Sequence, residues 1–85
     1  MRFFFDVVTA NGKAADTEGQ EFQSLKQATD EAKWSAREIV IDQLRQGRPF
    51  PSLCKVEIVD DRGLVALILA FGDIVQEDLK SAKGG

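Results

Sequence analysis

The sequence predicts an α+β domain, a two-layer ββαββ arrangement with a four-stranded sheet packed on one long helix. Three observations carry this. Ser24–Gln46 repeats apolar residues at helical spacing, and Phe3–Thr9, Cys54–Val59 and Leu64–Phe71 are rich in aromatic and aliphatic residues at strand length. Asn11-Gly12 and Asp60-Asp61-Arg62-Gly63 then stand between successive strands as turns. The 85 residues suffice for one core, so residues 1–80 are expected to form a single domain and 81–85 a flexible tail.

The first strand, Phe3–Thr9, places Phe3, Phe5 and Val7 on one face and Phe4, Asp6 and Val8 on the other, with the first set expected to meet the helix. Asn11-Gly12 suits the centre of a two-residue hairpin, where both positions need positive φ. The second strand returns through Lys13 to about Thr17, and its polar composition suits a sheet edge. Asp16 to Phe22 links it to the helix.

The helix rests on periodicity: Leu25, Ala28, Thr29, Ala32, Ala36, Ile39, Val40 and Gln43 share one side at about 100° per residue. Ser24 with Gln27 reads as a capping box, and Gly47 followed by Pro49 supplies a left-handed stop and a ring that blocks continuation. Alanines at 28, 32 and 36 let the helix lie close to a sheet without leaving a gap.

Arg48-Pro49-Phe50-Pro51 forms a stiff connector with two fixed φ angles. In the third strand Cys54, Val56 and Ile58 alternate with Lys55, Glu57 and Val59. The fourth, Leu64–Phe71, is apolar on both faces, which suits a central strand. Gly72 is expected to break it, and Asp73 with Gln76 to cap a short C-terminal helix carrying Ile74, Val75 and Leu79. Pairing the two most apolar strands gives the order 2-1-4-3 with a parallel central pair. The alternative is an all-antiparallel 2-1-3-4 sheet, which leaves the fourth strand at an edge and invites dimerisation.

Composition narrows the function. Eleven Lys and Arg against 14 Asp and Glu give a net charge of −3, the wrong sign for a protein that lives on phosphate backbones. A single cysteine, Cys54, forms no internal disulfide, as suits a reducing cytoplasm. Asp6 interrupts the apolar opening Met1–Phe5 far short of a signal peptide, and no segment approaches the ~20 apolar residues of a membrane span.

Arg2-Phe3-Phe4-Phe5-Asp6, the linker Asp16–Phe22, Ser24-Leu25 with Ala28 and Ala32, the exit Gly47-Arg48-Pro49, and Val56-Glu57-Ile58 through Asp60 and Gly63 form a pattern of spacing and turn residues. In this pattern the chain resembles a family of short, about 80-residue, uncharacterised bacterial domains over roughly residues 2–75. The resemblance implies a cytoplasmic bacterial protein with no assigned activity, and no catalytic residue carries over from it. Trp34 departs from the aliphatic or basic residue more frequent there.

Candidate chemistry is thin. The chain has no histidine, so imidazole-activated nucleophiles and the commonest zinc ligand are absent. Cys54 at a strand start reads as a small core residue. Asp16, Glu18 and Glu21 lack calcium-loop spacing and read as a solvated edge loop. Asp60 and Asp61 sit where turn geometry wants Asp, and the glycines punctuate elements without forming a phosphate loop. Arg45, Arg48 and Arg37 lie near the helix exit, where they complement its C-terminal dipole. No catalytic, cofactor-binding or metal-binding residue is assigned.

One feature resists an architectural account. Trp34 and Ile41 project opposite the sheet-facing side of the helix, with Arg37 and Glu38 between them and Arg45 a turn beyond; Trp and Arg are enriched at interface hot spots. The expectation is a non-enzymatic interaction module in which Trp34, Arg37, Glu38, Ile41 and Arg45 bind a protein partner or a second copy. The competing account covers Trp34 within the monomer, by Ile74–Leu79 or by the linker near Phe22. Two other functions are weighed: an antitoxin-like or nucleic-acid-associated regulator, from the broad similarity of Gln20–Leu44 to HicB-type antitoxins, and a ubiquitin-like carrier, from the ββαββ order and the terminal Gly84-Gly85.

Overall fold

A computed structural model describes residues 1–84 of the chain. The elements in order are β1 (Arg2–Thr9), β2 (Gly12–Ala14), β3 (Gln20–Glu21), α1 (Leu25–Arg45), β4 (Lys55–Val59), β5 (Val65–Ala70) and α2 (Phe71–Gly84). The class is α+β as expected. The sheet, however, has five strands rather than four, and a second helix of 14 residues lies beside the long one.

The strand order is β2-β1-β4-β5, with β3 on β1 as a side branch, and every pairing is antiparallel. The third and fourth strands of the sequence reading are β4 and β5, so the arrangement is the alternative 2-1-3-4 and the preferred 2-1-4-3 order is corrected. The reason lies in the reach of α1. Twenty-one residues at 1.5 Å each span about 30 Å, the full length of β1, so α1 starts beside the beginning of β1 and delivers the chain to its far end. The strand that follows must enter there, and Lys55 pairs with Val8. β4 is thereby inserted between β1 and β5, which run in the same direction without touching.

The fifth strand comes from the linker. Arg2 pairs with Glu21 and Phe3 with Gln20, and the Phe22 N–H donates to the Met1 carbonyl at 2.8 Å. Phe22 pulls this segment in: its ring is buried against Phe3 and stacked on Phe5 at 5.6 Å between centroids. On the edge of β1 away from β4, no strand among the described residues pairs between β2 and β3, and Asp16 takes over. Its Oδ2 accepts the Phe5 N–H at 3.1 Å, its Oδ1 accepts the N–H groups of Glu18 and Gly19 at 3.1 Å each, and its own N–H donates to Asp6 Oδ1 at 2.9 Å. Burial opposes the charge on Asp16, but these three backbone donors together bring its pKa below the ordinary carboxylate value. Gly19 closes the loop at φ 68°, and a Cβ there would stand 2.8 Å from the Phe4 ring, so only glycine fits without displacement.

The first hairpin turns on Ala10-Asn11, one residue earlier than expected. Thr9 pairs with Gly12, and among the two expected turn residues only Gly12 has positive φ. Thr9 Oγ1 accepts the Asn11 N–H and donates to the Gly12 carbonyl, which fixes the tighter loop.

Helix α1 is capped as its sequence requires. Ser24 Oγ accepts the Gln27 N–H at 3.1 Å, while Gln27 Oε1 reaches one residue past the cap to accept from Gln23 N–H. Gly47 at φ 76° ends it, with the Arg48 N–H returned to the Gln43 carbonyl. Ala28, Ala32, Ala36 and Val40 are buried against the sheet, where Phe3, Val56 and Ile58 meet Phe71 and Ile74 of α2. Gly72 does not separate β5 from the last helix: α2 begins at Phe71, whose N–H donates to the Cys54 carbonyl and whose ring is 1% exposed. The helix continues through the stretch expected as a tail as far as Gly84, and Gly85, half of the Gly84-Gly85 pair, lies outside the described residues.

Both helices lie on one side of the sheet, and the Cα envelope is only 16 Å in its thinnest direction. The opposite face carries Asp6, Glu57 and Ile68 in one cross-strand row. Lys13 Nζ bridges it, 2.8 Å from Glu57 Oε1 and 3.3 Å from Asp6 Oδ2, and these hydrogen bonds, Glu57 first, raise the Lys13 pKa. No helix among the described residues is long and apolar enough to cross a membrane.

Candidate functional site

Helix α1 divides its surface three ways. One side meets the sheet, a second meets α2, and the third is free. Trp34 lies on the free side at 57% exposure, joined by Ile41 at 49%. Residues 34, 38, 41 and 45 lie within about 60° of one another around the axis, which stacks them into a stripe. With Arg37 and Asp42 they line a shallow groove of about 460 Å³. The five residues singled out from the sequence are thus brought together. Neither Ile74–Leu79 nor the Phe22 linker covers the indole, since Phe22 is committed to the core with Phe3 and Phe5.

Arg37 is the exception in role. Its Nε and Nη2 donate to Asp78 Oδ2 and Oδ1 at 2.7 and 2.8 Å, a two-pronged pair that ties α1 to α2. The Asp78 carboxylate raises the Arg37 pKa, and Arg37 in turn holds the Asp78 carboxyl below its ordinary value. Lys33 repeats the contact a turn earlier, 3.1 Å from Glu77 Oε2. Arg37 therefore forms a fixed wall of the groove, whereas Glu38 and Arg45 make no ion pair among the described residues and leave both signs of charge available. Sequence reading missed Asp42 and Leu44, the latter 53% exposed on the same helix. Leu44 had a readable signal, falling three residues after Ile41.

The other candidates resolve differently. Arg48 lies in a separate cleft of about 450 Å³, roofed by the connector through Phe50 and Leu53 and floored by Val7, Ile39 and Phe71. Arg37 and Arg45 thus line one groove and Arg48 a separate cleft. Half-buried Cys54 opens onto the same cleft among apolar neighbours. Asp60 holds its turn: Oδ1 accepts from the N–H groups of Arg62 and Leu64 at 2.9 and 3.0 Å, and Oδ2 lies 2.9 Å from the Arg62 guanidinium. That ion pair, reinforced by the backbone donors, lowers the Asp60 pKa. Among the described residues no three His, Cys, Asp or Glu side chains gather as a metal site.

The chain belongs to the family described as a domain of unknown function (DUF6894), whose profile matches residues 2–72. The match runs from the first residue of β1 to the first turn of α2, so it takes in the whole sheet and α1. Comparison with curated proteins and with solved structures gives no match.

Proposed function

We propose that this member of the DUF6894 family is a non-enzymatic interaction module that binds a protein partner through the outer face of α1. The observation that carries the reading is the exposure of Trp34 and Ile41, 57% and 49%, on a helix whose other two sides are already packed. An indole left in water beside an aliphatic side chain contributes strongly when a partner covers the ring and accepts its N–H. The groove supports a protein surface rather than a phosphate backbone, because Glu38 and Asp42 stand against Arg45 and leave no basic stripe.

Trp34 is the chain's one tryptophan, so its emission reports on this face directly. The test compares the native chain with Ile41→Glu, matched for folding by circular dichroism, in affinity capture from an extract of the source cell. A captured protein is then purified and titrated against each. The reading expects a blue shift and loss of acrylamide quenching on binding, both abolished by Ile41→Glu. A partner that binds both chains equally, or leaves Trp34 open to the quencher, overturns it.

A further inference from the structure

The free edge of β5 is a second surface left unoccupied by the monomer. Among the described residues, β5 hydrogen-bonds to β4 on one side and to no strand on the other. Sheet edges are ordinarily blunted by charge, proline or shortness, and the two edges here differ in that respect. β2 is three residues long and presents Lys13. Leu64–Ala70 reads Leu-Val-Ala-Leu-Ile-Leu-Ala, with no charge and no proline, and Leu64, Val65 and Ile68 are 56%, 48% and 51% exposed. The register shift at Ile58/Val59 affects only the start of the strand.

We propose that this edge pairs antiparallel with the same edge of a second copy, giving a two-fold dimer with a continuous sheet β2-β1-β4-β5-β5′-β4′-β1′-β2′. Charge selects the occupant. In a two-fold contact the strand pairs with itself, residue i opposite residue j and j opposite i, so a strand carrying one sign of charge opposes itself. β5 carries no charge to oppose, and every exposed side chain it offers finds an aliphatic one.

The helix layer continues the surface. Glu77 and Asp78 turn toward α1 through Lys33 and Arg37. Leu79 lies about 200° around the helix from Glu77, on the flank away from α1, and is 61% exposed. An antiparallel edge pair has its two-fold axis perpendicular to the sheet, which keeps all helices on one side and sets the two α2 flanks against each other. Both Trp34 faces then point the same way.

Area sets the strength. Leu64–Ala70 and the α2 flank supply about a dozen residues per copy, and at roughly 30–40 Å² per residue of a standard interface this buries about 800 Å² in total, the weak, reversible end of specific complexes. An interface of this size makes a dimer that forms and dissociates with concentration, so it is sought across the micromolar to millimolar range.

Sedimentation velocity from about 5 μM to 1 mM tests the proposal. Mass is expected to rise from one copy to two across the series. Ile68→Lys puts a lysine opposite Glu57 within the monomer, so it keeps the fold while setting charge on the shared edge, and it moves the midpoint at least about tenfold upward. Leu79→Glu, on the helix flank, moves it in the same direction and serves should the strand variant fail to fold. Trp34→Ala leaves it in place. A native chain that stays monomeric throughout, a dimer indifferent to both edge variants, or one dissolved by Trp34→Ala overturns the proposal, and the last result places self-association on α1 instead.

Discussion

Replacing Asp16 by alanine tests the account of how β1 is completed between β2 and β3. The carboxylate accepts three backbone N–H groups, those of Phe5, Glu18 and Gly19. The Phe5 donor is part-buried on the edge of β1 away from β4, where β3 and β2 pair only at residues 2–3 and 7–9, so loss of the carboxylate strands a donor at about 1–3 kcal/mol. Glu18 lies at the surface, and water recovers much of what the loop loses, about 0.5–1 kcal/mol for each remaining bond. The sum is a loss of about 2–5 kcal/mol. A domain of 85 residues holds roughly 4–13 kcal/mol in total, and each kcal/mol is worth about 4–8 °C, so the melting temperature falls by about 8–40 °C. Urea denaturation and thermal melts followed by far-ultraviolet circular dichroism measure it. Asp16→Asn, which keeps one acceptor oxygen, should fall between, and Glu18→Gln should match the native chain. A loss under about 0.5 kcal/mol for Asp16→Ala, the range of ordinary surface substitutions, would refute the bridging role.

Trp34→Ala should separate folding from binding. A buried Trp→Ala change costs about 3–5 kcal/mol, but with more than half of Trp34 exposed denaturant melts should show less than about 1.5 kcal/mol, while affinity for a partner on this face falls by about 30-fold or more. Ala32→Leu, at a position with 0% exposure, should overpack the helix–sheet seam and cost about 1–3 kcal/mol or more in the same melts; an unaffected midpoint would mean that α1 does not lie as close as described. Stability should also depend on pH at both ends. Asp16, Asp60 and Asp78 have folded-state pKa values below their unfolded ones, so the native state binds fewer protons there. Their contribution is complete above about pH 4 and is lost as pH falls through the folded values. Lys13 has a raised value, so its contribution holds below about pH 10.4 and is lost as pH rises beyond. Melts of the native chain against pH should show this plateau, with Asp78→Asn reducing the acid slope.

What the sequence determined was local. Ser24, Gln27 and Gly47 set the ends of α1 because caps act within a few residues, and the Ala28–Ala32–Ala36 row and the Trp34–Ile41 stripe follow from helical period alone. Val56 and Ile58 were legible as core for the same reason, a strand's period of two. The tertiary structure decided which strands meet. Apolarity placed the Leu64–Phe71 stretch at the centre, but the length of α1 delivers Lys55 to the end of β1, and β4 takes the central place. It also decided what each charge does. Asp16 completes a strand and Arg37 clamps Asp78, 41 residues away, because the partners of a charged group are set by distance in space. The stripe on α1 was therefore visible in the order of residues, whereas the open edge of β5 exists only once the sheet is assembled.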